Sequence, residues 1–427
     1  MSDDAMAAKL PVRYLMNVTE ALRDRILPEL SGAARDRLQE CMTIIARVVS
    51  GLPHGALPEA DGAAHHGALL DAAETQFAAV ENAIFHPAAV VDSRTFSADK
   101  LAAYLRGHEL GGPRTTLTSA RVLAGGRSKQ TVLVAQTGAA GLPEMLVIRQ
   151  DWSSAVTGTS VVTEFQLLRR IASAGLKAPM PLILETDPAI LGSPFMVMQR
   201  MPGAPRGDIF HPPESQRLAL DLARQLAKLH ALPADEFDAL GVPTEAFTQD
   251  QLRQGLAGFR ETYHAIGLPS ATINAAFDWL EAAIPNVDGA RALTHNDIGC
   301  HNFLIDGENL SAILDWELAH IGNPAADLGY IRNFIGKMTS WERFLAAYEE
   351  AGGPKITPAT LDFYTIWCGV RLFCLLMKAR AGVAIGMVQD TEITYACAHF
   401  IPQQHHVISI ELRRILSERA KTFGLTA

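Results

Sequence analysis

The segment from His295 to Asp327 gathers the side chains of this chain that could do chemistry. It opens as His-Asn-Asp-Ile-Gly-Cys-His-Asn, which fits His-x-Asp-x-x-x-x-Asn and sets a carboxylate at Asp297 and a neutral oxygen ligand at Asn302. Leu-Asp-Trp-Glu then supplies a second carboxylate at Asp315, and Asn-Pro-Ala-Ala-Asp a third at Asp327. Phosphoryl transfer needs one carboxylate to orient the attacking hydroxyl and take its proton, and others to hold the magnesium that screens the nucleotide phosphates. Asp297, Asn302 and Asp315 are of the right types for those roles. An isolated His-x-Asp recurs by chance, whereas the constellation in this order and spacing is specific.

Local patterning says how these groups are held. Arg291 to Thr294 runs into the motif, and the apolar runs from Asn302 to Asp306 and from Ser311 to Leu314 flank Gly307, which predicts a hairpin. Asp297 then lies on the loop before the hairpin and Asp315 leaves its far end. Two carboxylates 18 positions apart can thus return to one edge.

Upstream, strand-like segments are expected at Thr116 to Leu123, Thr131 to Gln136, Met145 to Arg149 and Phe195 to Gln199. A short helix precedes them at Leu101 to Arg106. Another, Gly158 to Ala174, carries Val162, Phe165, Leu168 and Ile171 at helical spacing. Gly125-Gly126-Arg127-Ser128 joins the first two strands as a turn whose backbone amides can approach phosphate, although an ordinary hairpin turn has the same composition. Arg149 ends the third strand and Glu164 rides on the following helix. Together they can form a cation held by an anion, the cation aimed at nucleotide phosphates.

Composition bounds the rest. At 427 residues the chain is too long for one ordinary core and predicts two or three domains; 48% hydrophobic and 19% charged residues fit a compact soluble protein. A net charge of −9 argues against nucleic acid or an anionic membrane as partner. Cys41, Cys300, Cys368, Cys374 and Cys397 are scattered, without a Cys-x-x-Cys pair, and are expected to be reduced, buried thiols. The start lacks a basic region followed by an apolar stretch, so no signal peptide and a cytoplasmic location are expected. Leu361 to Arg380 is the most apolar long segment, but Asp362, Arg371 and Lys378 favour a core helix over a membrane span.

The chain is expected to divide into three regions: a helical one at 1–97 with no chemical motif, a nucleotide-binding lobe at 98–203, and a helical lobe with catalytic loop and acceptor pocket at 204–427. Residues 10–88 carry helical periodicity, for instance Leu15, Val18, Leu22 and Ile26. This region leaves open a homodimer or partner contact. The pairs His65-His66 and His405-His406 lack partners at metal-ligand spacing. Helices are further expected at Ser215 to Leu232, Trp341 to Ala351 and Thr360 to Arg380, with Phe363, Trp367, Phe373 and Met377 in the core.

Leu-Ala-Gly-Gly-Arg-Ser, Val-Ile-Arg and Leu-Asp-Trp-Glu-Leu-Ala-His, in this order with the His-x-Asp motif, resemble the aminoglycoside phosphotransferase and choline kinase family. The branch is that of bacterial phosphotransferases and of kinase-like domains linked to acyl-CoA dehydrogenases. The resemblance covers about 98–427 and implies an α+β, two-lobed protein-kinase-like fold: a small, mainly antiparallel β lobe with one helix, and a larger helical lobe. It implies ATP and Mg2+ as cofactors, Asp297 as catalytic base, and Asn302 and Asp315 as magnesium ligands. Gly125, Gly126 and Ser128 would lie at the phosphates. Arg149, paired with Glu164, stands where relatives usually carry a phosphate-binding Lys, and the Gln199-Arg200-Met201 backbone would hold the adenine.

The phosphate loop departs from the full Gly-x-Gly-x-x-Gly. Asp327 comes only 12 residues after Asp315, too few for the longer activation segment of a protein kinase, so the expected partner is a small hydroxylated substrate. His295 is expected to anchor the loop and Asp327 to brace the segment after it, while Glu317 is either an outer metal contact or a plain carboxylate at a helix start. Amino sugars, hydroxyacyl thioesters and other hydroxylated metabolites remain open as acceptors. The alternative is an inactive nucleotide-binding or scaffolding protein that keeps the fold, since fold alone does not establish function.

Overall fold

The computed structural model describes residues 96–123, 129–151, 160–207, 209–244, 248–266, 270–384 and 391–422. The helices expected within 10–88, the pair His65-His66, Cys41, and the turn residues Gly125, Gly126 and Ser128 lie outside them.

The described chain begins with helix α1 (Ala98–Gly107), where the Ser97 hydroxyl accepts from the Lys100 N–H and Asp99 sits in the first turn. Both satisfy the exposed amide end of a helix. Five strands come next: β1 (Thr116–Val122), β2 (Lys129–Thr137), β3 (Met145–Asp151), then, after helix α2 (Val161–Ser173), β4 (Pro181–Glu185) and, after the short α3 (Pro188–Leu191), β5 (Phe195–Gln199). They form one antiparallel sheet in the order β1-β2-β3-β5-β4. Strand β4 was not expected from sequence. It starts at a proline and is brief, and it lies at the sheet edge, where a residue without an N–H is tolerated.

Successive strand residues face opposite sides, so this sheet carries two different faces. Val132, Val134, Leu146, Ile148, Phe195 and Val197 pack with Leu101 and Leu105 of α1. The other face brings Met196 and Met198 into a larger core with Val161, Phe165 and Leu168 of α2. Arg149 alternates with Ile148 and therefore stands on the α2 side. Thr131 pairs with Arg149 across β2 and β3, which puts Lys129, two residues before Thr131, on that same side.

Past the sheet the chain is mostly helical: α4 (Gln216–His230), α5 (Ala234–Ala239), α6 (Gln249–Ile266) and α7 (Ala271–Ala283) lead to β6 (Ala292–Thr294), β7 (Phe303–Asp306), β8 (Asn309–Ile313) and β9 (His320–Gly322). Strand β6 pairs with β9, and β7 with β8 as the expected hairpin. Helices α8 (Ala325–Ile335), α9 (Trp341–Glu350), α10 (Pro358–Ala384) and α11 (Thr391–Thr422) complete the chain. Helix α10 is long and apolar enough to cross a membrane, and 78% of its most apolar window is buried.

Contacts divide the chain into two compact units. One holds 95–257, 274–370 and 407–427, and with them the sheet, the hairpin and every residue of the candidate site. The other contains, among its described parts, 258–266, 270–273, 371–384 and 391–406. In it His405 Nε2 lies 2.8 Å from the Ser270 hydroxyl, and burial pushes the Cys374 thiol up to about 12. Cys300, Cys368, Cys374 and Cys397 are all buried, and no disulfide joins any two of them.

Candidate active site

A two-residue bridge sets the hairpin under the end of the sheet. Ala204 and Ile305 exchange both backbone hydrogen bonds, at 3.2 and 3.0 Å. Gly203 has φ of 95°, and a Cβ there would come within 2.6 Å of the Ile305 carbonyl oxygen. Only glycine meets both demands.

The loop before the hairpin is pinned from below. Asp327, fully buried on α8, accepts the backbone N–H groups of His295 at 2.9 Å and Asn296 at 2.8 Å, and lies 3.0 Å from His230 Nε2 on α4. His230 Nδ1 is in turn 2.8 Å from the Tyr348 hydroxyl on α9. With the carboxylate fixing the proton on Nε2, Nδ1 accepts from tyrosine. Burial opposes the charge on Asp327, but His230, His295 and the His295 backbone N–H outweigh it and hold its pKa below the usual carboxylate range. The His295 ring lies 2.9 Å from the Leu314 carbonyl and packs on Trp316, which ties the loop to the strand end that delivers Asp315. Asp327 thus braces the loop before it, whereas the sequence suggested the segment after it.

Asp297 emerges from this support with its side chain 27% exposed. Tyr330 donates its hydroxyl to Oδ1 at 2.8 Å, Asn302 Nδ2 donates to Oδ2 at 3.1 Å, and His301 Nε2 is 3.4 Å from Oδ2. Burial favours the neutral form of Asp297, but His301, Tyr330 and His295 together lower its pKa well below that of an ordinary carboxylate. The Asn302 amide nitrogen also donates to the Asp297 carbonyl at 2.9 Å, so its Oδ1 is the atom left for a cation. The Asn302 carbonyl accepts from Leu314 N at 2.8 Å, which sets this residue beside the start of Leu-Asp-Trp-Glu. Asp315 has a left-handed backbone, φ 63°, unusual for a residue with a side chain, and its carboxylate is 41% exposed.

The Arg149–Glu164 pair expected from sequence is present and buried, at 3.1 Å between Nη1 and Oε1. It belongs to a larger cluster. Arg149 Nη2 also lies 3.3 Å from Asp315 Oδ1 and 3.5 Å from Glu317 Oε2. Lys129, only 1% exposed, sits 3.5 Å from Glu164 Oε2 and 3.5 Å from Glu317 Oε2. Burial works against the charge on Arg149, yet Glu164, Asp315 and Glu317 raise its pKa further, so it stays a cation. Burial raises the pKa of Glu164 against the pull of Arg149 and Lys129. Glu317 thus lies in a single helical turn, Trp316–Leu318, and answers to two cations.

Gln199 closes β5, and its N–H donates to Met180 O at 3.1 Å while that of Arg200 donates to Met145 O at 3.2 Å. Met201 comes next, at the end of the sheet.

Lys129, Tyr330 and His301 were not singled out from sequence. Tyr330 had a signal, since it stands one helical turn after Asp327 and must face the loop which that carboxylate holds. Lys129 had only its alternation with Thr131. Among the described residues no group of three or more His, Cys, Asp or Glu could cage a metal. Magnesium that arrives with phosphates uses one or two protein oxygens, so Asn302 Oδ1 and Asp315 suit it.

The description "phosphotransferase enzyme family" matches residues 119–364. A solved protein from Ralstonia eutropha, assigned to the aminoglycoside phosphotransferases, superposes with a TM-score of 0.58 at 19% identity, over 75% of this chain and 99% of that one. That likeness shows the fold: α+β, two-lobed and kinase-like, with a small antiparallel sheet and a larger helical portion. Acyl-CoA dehydrogenase family member 11 of Homo sapiens is 25% identical over 300 residues, 66% of this chain and 36% of that protein. A homoserine kinase of Methylocella silvestris is 27% identical over 247 residues, 55% of this chain and 68% of that one. The chain therefore spans only about a third of the length of the acyl-CoA dehydrogenase relative. Since the family match runs over more than half of its residues, this chain belongs to the phosphotransferase enzyme family.

Proposed function

We propose that the protein transfers the γ-phosphoryl group of ATP to a hydroxyl of a small molecule. The observation that carries this is Asp297, an ionised carboxylate held by Tyr330, Asn302 and His301 on a buried support, with Asn302 tied through its carbonyl to Leu314, the residue before Asp315. The acceptor oxygen attacks γ-phosphorus, the bond to the bridging oxygen breaks, ADP leaves, and the proton passes to Asp297. A carboxylate with so low a pKa is a weak base. Its work is to orient the hydroxyl and to take the proton late, once the new bond has acidified it, as the loose transition state of phosphoryl transfer allows.

Magnesium bound with the nucleotide supplies charge screening of the phosphates. Asn302 Oδ1 and Asp315 are the residues that would hold it. Arg149 is the cation for the phosphate oxygens, with Glu164 keeping its guanidinium in place, and it can meet two oxygens at once. The N–H groups of Gln199 and Arg200 are committed, so Met201 is left to face the adenine. The short step from Asp315 to Asp327 has no room for the longer activation segment of a protein kinase, which supports a small acceptor.

The test is nucleotide consumption by the purified chain over amino sugars, homoserine and hydroxyacyl-CoA compounds. Turnover with one class names the acceptor; failure to bind or consume ATP under any condition overturns the proposal. Two variants probe the roles. Asp315→Ala should weaken ATP binding in the presence of magnesium about tenfold or more, and should not weaken it without magnesium, because the change also removes a carboxylate that competes for Arg149. Isothermal titration with and without the metal checks both arms. Tyr330→Phe removes one hydrogen bond to Asp297 Oδ1, a loss of about 1 kcal/mol, and should lower kcat roughly fivefold with little change in nucleotide affinity.

A further inference from the structure

Arg149 faces a conflict that Lys129 resolves. The phosphate cation is surrounded by three carboxylates, Glu164, Asp315 and Glu317, all within 3.5 Å. If it had to neutralise them alone, it could not turn to an incoming phosphate without leaving buried charge behind, which is costly. Lys129 shares two of those three. Glu164 gives Oε1 to Arg149 and Oε2 to Lys129, and Glu317 Oε2 lies 3.5 Å from each cation. The result is an alternation of charge through Arg149, Glu164, Lys129 and Glu317. Three of its four contacts are long for ion pairs, at 3.5 Å, while Arg149 Nη1 and Glu164 Oε1 are 3.1 Å apart. The buried Nε of Arg149 and both oxygens of Glu164 make no aligned hydrogen bond among the described residues. A guanidinium so held can change partners.

We infer that Lys129 is a positioning residue for nucleotide binding: by neutralising Glu164 and Glu317 it keeps Arg149 available to the phosphates. This rests on the phosphotransferase reading, in which Arg149 meets the nucleotide. Lys129 itself is too buried to need contact with substrate and acts through Arg149. Removing its charge takes one cation away from both glutamates, which then draw Arg149 more strongly. Removing one glutamate as well restores the balance.

The experiment compares the full chain with Lys129→Met, Lys129→Arg and the double variant Lys129→Met with Glu317→Gln, reading ATP affinity by isothermal titration and melting temperature in parallel. Lys129→Met should bind ATP about tenfold more weakly, the loss of roughly one charge-assisted contact at the phosphates. Lys129→Arg should retain affinity, and the double variant should return to within about threefold of the parent, since coupled charges are not additive. A merely structural lysine would lower the melting temperature and leave the affinity of the folded fraction unmoved, and would gain nothing from the second change. Parent-like affinity in Lys129→Met overturns the inference, as does a double variant as weak as the single. If Lys129→Met does not fold, the double variant and Lys129→Arg decide alone: weak binding in either overturns it. Absence of ATP binding by the parent would instead strike the phosphotransferase reading itself.

Discussion

Asp297→Asn is expected to lower kcat by about 10³-fold, within the range for removing a positioned acid–base group, while nucleotide affinity stays within about threefold of the parent. The substitution preserves shape. Tyr330 can still donate to the remaining oxygen, and the loop keeps its attachment to Asp327, so the lost element is a charged acceptor for the hydroxyl proton. The new amide also sets an N–H group against the donors from Asn302 and His301, which turns the acceptor hydroxyl away from its line of attack. Steady-state kinetics together with titration of ATP separate the two quantities. Retained turnover would end the assignment of Asp297 as base. Because the Asp297 pKa lies well below its ordinary value, the carboxylate is ionised throughout the neutral range, and an acid limb of the parent's rate profile near the ordinary carboxylate value would point to another group.

Asp327→Ala is expected to destabilise the unit carrying the site by about 3–5 kcal/mol, the penalty for breaking a buried charged network by removing one partner. Three donors lose their acceptor at once: the N–H groups of His295 and Asn296, and the His230 ring. His230 and His295 are buried, so their donors lose the carboxylate at positions shielded from bulk solvent. Denaturant unfolding followed by a spectroscopic probe reads the loss, and a change below about 1 kcal/mol would show that the loop does not depend on this brace. The pH dependence has a definite sign. The folded pKa of Asp327 is depressed, so its contribution is present above the unfolded value of about 4 and fades as pH falls toward the folded value. The gap in stability between parent and variant should therefore narrow only in acid.

Much of the fold could be read locally. The strands at Met145 and Phe195, the helix after Ser160, and the hairpin around Gly307 arise from alternation, capping and a turn residue within a few positions of each element. Strand β4 was hidden because an edge strand that begins with proline carries little pattern. His295 tied to Leu314 shows that a loop and its hairpin are joined by neighbours in the chain, and Asn302 beside Asp297 is a matter of five positions.

By itself, then, the sequence determined which residues could do phosphoryl chemistry and how the loop and hairpin present them, because short spacing and turn geometry act over a few residues. The tertiary structure alone decided which distant charges meet. Lys129 and Glu317 are 188 positions apart, Arg149 and Asp315 are 166 apart, and His230 and Asp327 are 97 apart. No periodicity encodes such pairs. They exist because the sheet and the helical portion bury these groups together, where an unshared charge is too costly to leave and each must find a partner across the fold.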